Sequence, residues 1–335
     1  MRESRRILLS RVWLGVLALL LVCHAGLFLR TQSERVGGSL GAYAEATNRW
    51  EDILSALPPE TGAALLDKSI QSIGSWNAAW EYNYNDTMDD SWAEVFQEVY
   101  PDFDDKVRAI RLGAEVENGR EEENALTAWQ ERLTYQSGYA DDIASVAAQA
   151  QRIRSNPLFA KSGSFDFRNA ERTEADYTAV ADVPLTLAAD DAVNAYLNDN
   201  SALIFSLCLM IVTVVLILEP RRLGMEQVER SAANGRSVLT LWRLGTVALS
   251  ALIAALTMQG GSLLLGVAAY RQPLDLSVSI QSFAFFRHWT AKTTLGGFLL
   301  WHILFRWAGL ALAGLLFWLL LARIRSLPVG LVVCG

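Results

Sequence analysis

The chain has 335 residues, 52% of them hydrophobic, and a net charge of −7 that conceals a division. Residues 31–200 carry 31 acidic against 13 basic side chains, a net of −18, whereas the remainder carries 5 against 16, a net of +11. An acidic, water-facing block beside a basic, apolar remainder indicates an integral membrane protein with one large external domain, and it excludes nucleic acid as a partner because the soluble block would repel phosphates.

Met1–Arg11 is basic and precedes Val12–Leu29, an apolar helix candidate closed by Arg30. A cleaved leader would have an apolar region of ~7–15 residues followed by a small-residue cleavage site. This run is longer and ends in Leu27-Phe28-Leu29-Arg30. It reads as an uncleaved anchor with a cytoplasmic amino terminus, so residues 1–30 are the terminus and first span.

Residues 31–200 follow as an extracytoplasmic, mainly helical domain. Arg35–Leu57, Thr61–Ala79, Asp104–Gly113, Glu121–Gly138 and Ala140–Ser155 have helical patterning, with Pro58-Pro59 and Asn156-Pro157 as breaks, and Ser164–Glu174 follows a turn at Gly163. Val180–Leu187 has the one β-like pattern, and Pro184 demotes it to an edge strand at best. Trp76, Trp80, Tyr82, Tyr84 and Trp92 crowd one stretch among Asn83, Asn85, Asp86, Asp89 and Asp90. The functional reading is a ligand-binding aromatic cleft or a calcium site. The plainer one is aromatic core packing, since rings dominate cores and the acids lack the spacing of a calcium loop.

Residues 201–335 read as the membrane domain. Ala202–Leu218 is uncharged and near the lower limit of about 17 residues for a span. The loop 219–243 carries Arg221, Arg222, Arg230, Arg236 and Arg243 against Glu226 and Glu229, and short Arg-rich loops stay in the cytoplasm. Leu244–Tyr270 is the third span, with Gly260-Gly261 suited to close helix packing or a kink. Arg271–Lys292 is an external connection, and the fourth span lies within 293–322. There His302 and Arg306 form a polar site, either at mid-bilayer and functional or at the headgroups with the crossing at Trp307–Ala322. Arg323 and Arg325 hold that end inside. Leu327–Gly335 is too short for a further span.

Neither cysteines nor histidines suggest a site. Cys23 and Cys208 lie in apolar runs and Cys334 near the end, while His24, His288 and His302 have no ligand spacing. No nucleophile–base–orienter set stands out, so catalysis is not expected. No cofactor is expected either. A phosphate loop needs Gly before Lys-Ser/Thr, and Lys68-Ser69, Lys161-Ser162 and Lys292-Thr293 follow Asp67, Ala160 and Ala291. The expected fold class is an all-α integral membrane protein with about four transmembrane helices and a mainly helical external domain.

The order of these segments, with Glu219-Pro220-Arg221-Arg222-Leu223-Gly224 and then Asn234-Gly235-Arg236 after the second span, resembles a permease of the type-2 ABC transporter family with a large external insertion. Phe159–Tyr177 resembles the segment closing that domain in Gram-positive members, and Ile280-Gln281-Ser282 resembles a sequence after their third span. The resemblance covers nearly all of Arg5–Arg325. It implies a bacterial cell-membrane location, a cytoplasmic ABC ATPase subunit as partner, and a dimer with itself or a second permease chain. It also implies that Glu219, Pro220, Arg221, Arg222, Gly224, Gly235 and Arg236 form the coupling elbow, Pro220 being suited to the first turn of a new helix. Such permeases usually have six spans, so the last two are expected to be missing. Two other readings stay open: an anchored extracytoplasmic sensor or receptor, and a truncated accessory membrane protein.

Overall fold

The computed structural model describes residues 6–84, 88, 90–112, 119–156, 163–222 and 235–323. The helices are α1 (Arg11–Val36), α2 (Leu40–Ser55), α3 (Pro59–Tyr84), α4 (Asp90–Val99), α5 (Phe103–Arg111), α6 (Arg120–Ser155), α7 (Phe165–Val180), α8 (Asp191–Leu197), α9 (Asn200–Arg222), α10 (Gly235–Ala254), α11 (Gly260–Tyr270) and α12 (Leu295–Arg323). Among the described residues the only extended pairing is an isolated bridge between Ser279 and Thr294. The chain is therefore all-α.

It divides into two compact units. One comprises residues 1–32, 192–268 and 298–335, the other 33–191 and 269–297.

The first unit holds four helices long and apolar enough to cross a membrane: Arg11–Val36, Asn200–Glu219, Leu239–Tyr270 and Leu295–Arg323. The second and third have 44% and 39% of their most apolar stretch buried, against 17% and 11% for the outer two. α9 and α10 are thus the centre of the unit. Leu209, Met210, Ile217, Val247, Ala251, Ala254, Ala255 and Leu310 form the core, with Trp13 from α1. Alanines on α10 and Gly314 on α12 keep the helices close, as small residues do where lipid supplies no hydrophobic drive. A side chain at Gly314 would collide with Met210 and lie 2.8 Å from Val247 Cγ1. The Trp13 indole donates to the buried Thr213 hydroxyl at 2.9 Å, which pairs these two polar groups inside the core.

Gly260 and Gly261 do not serve close packing: an added Cβ at either meets nothing within 4 Å. The departure from regular helix lies just before them, in a π turn at Ala255–Gln259. Extra residues per turn of this kind are a recognised cause of helix irregularity.

The second unit is built on α6, a single 36-residue helix. Its buried residues Leu126, Trp129, Arg132, Tyr135, Tyr139 and Ile143 recur at steps of three and four, which is one helix face. Trp50 and Leu54 of α2 and Leu66 of α3 pack on Leu126 and Trp129. Val180 of α7 packs on Tyr135, Tyr139 and Ile143. Arg120–Ser155 is thus one helix, where a break at Gly138 was expected. The apolar stripe runs straight through that glycine, and one glycine costs a helix only about 1 kcal/mol. Gly37, at φ +69°, ends α1, and Ser39 caps α2 by accepting from Ala42 N. Gly163, at φ +88°, precedes Ser164, which caps α7 in the same way through Phe167 N.

Two segments differ from expectation. Val180–Leu187, the β-like stretch, forms no strand: α7 runs to Val180, and 183–190 has no regular structure. The connection 271–292, expected to belong with the membrane helices, folds with the second unit. There Tyr135 donates to Gln281 O at 2.8 Å, and Thr186 N donates to Ser282 Oγ at 3.0 Å. Gln281 is wholly buried and donates to the carbonyls of Trp289 and Ala291. The Ile280-Gln281-Ser282 sequence is a buried fastening of this loop.

Candidate functional site

The four-helix unit carries a polar cluster that the sequence did not announce. His24 on α1 is 1% exposed and lies 2.7 Å, through Nε2, from Asp199 Oδ2. Ser262 on α11 donates to the same carboxylate oxygen at 2.6 Å and lies 3.2 Å from His24 Nε2. Ser201, through its amide and hydroxyl, donates to the other oxygen of Asp199. Burial disfavours the charge on Asp199, but hydrogen bonds from His24, Ser201 and Ser262 outweigh it and hold the carboxyl down at about 2. The three residue types match a nucleophile relay, yet the geometry does not. Asp199 and Ser262 crowd the same ring nitrogen, whereas a relay places acid and hydroxyl on opposite nitrogens. What the cluster does is tie α1, the start of α9 and α11 together through one carboxylate.

A second polar group lies on α8 and α12. The Tyr196 phenol is 2.6 Å from His302 Nδ1, and Arg306 Nε donates to His302 Nε2 at 3.3 Å. With Nε2 accepting, Nδ1 carries the proton and donates to Tyr196. Phe298 stacks on the same ring at 5.7 Å. Burial pushes the Tyr196 phenol up to about 12, against the opposing pull of Arg306. The expected pair His302 and Arg306 is thus in contact, and Tyr196 is the partner that sequence reasoning missed. Tyr196 lies four residues before α9, so Arg306 is level with the beginning of that helix.

The second unit holds a buried charge cluster. Arg132 on α6 donates through Nε to Asp190 and through Nη2 to Asp191, each at 2.7 Å, and its guanidinium lies over the Trp129 ring at 4.7 Å. Tyr43 donates to Asp191 at 2.9 Å and Gln272 to its other oxygen at 2.9 Å. Burial works against the charge of Asp191, but Arg132, Gln272 and Tyr43 hold it below the usual carboxylate range. Burial, then the neighbouring Asp191 charge, keeps the Tyr43 phenol well above its ordinary value. Asn48 donates to the carbonyls of Tyr270 and Arg271, the latter held at φ +53°. Asp190 immediately precedes α8 and Asp191 opens it, so this cluster anchors the start of that helix.

The five aromatics of the 76–92 stretch divide into two groups. Trp76 and Tyr82 pack against Ala78, Ala79, Phe103, Val107 and Ile110, with Lys106 over the Trp76 ring at 4.4 Å. Trp80, Tyr84 and Trp92 are 44%, 61% and 47% exposed. Trp76 and Tyr82 are core, as the plainer reading has it. Asn85, Asp86 and Asp89 lie outside the described residues, and among the described ones no three His, Cys, Asp or Glu side chains converge on a point that could hold a metal.

Of the elbow residues, Glu219 is exposed near the end of α9, and that helix continues through Pro220, Arg221 and Arg222. Pro220 therefore extends the second apolar helix, where the start of a new one was expected. Gly224 lies outside the described residues, and Gly235 and Arg236 open α10. Arg243, expected in the loop, is in α10 and 7% exposed.

No protein-family model matches this sequence, and no curated protein or solved structure matches it either.

Proposed function

We propose that this chain is the membrane-spanning permease subunit of an ABC-type exporter, driven by a separate cytoplasmic ATPase that docks on residues 219–243. The observation that carries the reading is the order of elements: one apolar helix, a large helical domain, then three apolar helices with an Arg-rich connection between the first two of them. In this reading the amino terminus and the 219–243 connection are cytoplasmic, and residues 31–200 lie outside a bacterial, Gram-positive cell membrane. Asp199, Tyr196 and Arg306 then mark the outer headgroup level, where charged groups cost least. ATPase closure would pull on α9 and α10, the most buried pair of the unit.

The outer helix α12 exposes Phe305, Leu312, Leu316 and Leu319, spaced as one helix face. That face is offered to lipid and to a second permease chain, either a copy of this one or a related subunit. Purification from native membranes tests the proposal. The wild-type chain retains a cytoplasmic ATPase and the Glu219→Ala/Arg236→Ala variant loses it. An ATPase-free wild-type preparation, or an intact complex in the double variant, contradicts it.

A further inference from the structure

The second unit contains a cleft of about 570 Å³ between α3, α4, the start of α6 and the Gly37-Gly38 turn. Its walls are aromatic, formed by Trp80, Phe96 and Tyr100, and its charged rim is acidic, with Glu81, Glu121 and Glu123 against the single cation Arg120. Glycines shape it. A side chain at Gly38 would collide with the Glu121 carboxylate, and one at Gly74 would lie 2.7 Å from the Tyr100 hydroxyl. Two of the glutamates are fixed in place: Glu121 accepts from Ser39 N at 2.8 Å, and Glu123 from Asn77 Nδ2 at 2.5 Å. The volume is that of a small-molecule site, for which a few hundred Å³ up to about 1,000 Å³ is usual.

We infer that this cleft binds an organic ammonium ion carried on an apolar body. Ring faces attract cations through their quadrupole, and carboxylates at the rim supply the opposite charge. A neutral ligand would use the rings but leave the net negative charge of the rim uncompensated. An anion would meet three carboxylates in a block whose net charge is −18. Trp80, exposed at the head of the cleft, is the one member of the sequence-level aromatic cluster that faces it. The inference does not depend on an ATPase partner.

The test uses the full chain in detergent and two soluble probes of nearly equal shape, 2-phenylethylammonium and 2-phenylethanol. Calorimetry or tryptophan fluorescence gives saturable binding of the ammonium, weakened at raised salt, and binding of the alcohol at least about tenfold weaker. Glu81→Gln and Trp80→Ala each weaken ammonium binding about tenfold or more, and Glu60→Gln, at the far end of α3, leaves it unchanged. Circular dichroism melts matching the wild type show that the variants fold. Equal binding of the two probes, full binding by both cleft variants, or no binding by the folded wild type overturns the inference.

Discussion

His24 and Asp199 are 175 residues apart in sequence and 2.7 Å apart in space, and they join the first apolar helix to the foot of the second. Their side chains are 1% and 5% exposed. Removing one partner of a buried hydrogen-bonded pair leaves the other with its desolvation uncompensated, at a cost of about 1–3 kcal/mol. His24→Leu and Asp199→Leu are each expected to lower the melting temperature of the detergent-purified chain markedly. The double variant should lose less than the sum of the two. Additive losses would show that the contact contributes nothing.

Arg132 makes a second prediction, with a sign that depends on pH. Arg132→Met leaves Asp190 and Asp191 buried without their cation, costing about 3–5 kcal/mol at neutral pH. In the wild type Asp191 is held below its ordinary 3.8, so its contribution is present above that value and lost as pH falls through the depressed one. In the variant Asp191, still buried but without its cation, relieves itself by taking a proton. The stability deficit should therefore shrink between about pH 7 and about pH 4. A deficit equal at both pH values would contradict the assignment.

Phenols give the opposite direction. Tyr43, Tyr135, Tyr139 and Tyr196 are all raised above 10.0, burial being the first cause in each. A group whose folded value is raised contributes stability that is complete below its unfolded value and is lost as pH rises through the folded one. Alkaline unfolding should set in above about pH 10, and these four phenols should ionise together with loss of helix rather than ahead of it. Phenolate absorbance and circular dichroism, followed on one titration, check this; free early ionisation of all nine tyrosines would refute it.

Small residues in the four-helix unit predict a contrast on one helix. Gly314→Val drives a methyl into Met210 and Val247 and should cost about 1–3 kcal/mol, the range for overpacking. Gly309→Ala, whose new carbon meets nothing within 4 Å, should not destabilise and should add up to about 1 kcal/mol, the ordinary helix preference for alanine. Thermal melts of the two variants side by side decide it.

These contacts also mark how far the sequence could be read. The four apolar helices were legible because a membrane span is a property of one continuous stretch, and Ala202–Leu218 or Leu244–Tyr270 carries that signal alone. The helical domain was legible for the same local reason, apart from the false break at Gly138. His24 with Asp199 and Arg132 with Asp190 were not legible. Each pairing spans tens to hundreds of residues, and neither residue looks unusual beside its own neighbours. The aromatic cluster was half legible. Crowded rings signal a core or a cleft, and only the packing of α5 on α3 assigns Trp76 to one and leaves Trp80 for the other.

Sidedness is the central claim of the transport reading, and thiol labelling measures it directly. Starting from a chain with Cys23, Cys208 and Cys334 replaced by serine, single cysteines are introduced as Ser231→Cys in the 219–243 connection and Ser137→Cys on α6. Intact cells are treated with a membrane-impermeant maleimide. The account predicts labelling of Ser137→Cys at once and of Ser231→Cys only after the membrane is opened. Labelling of Ser231→Cys in intact cells would place the proposed docking elbow outside and contradict the account.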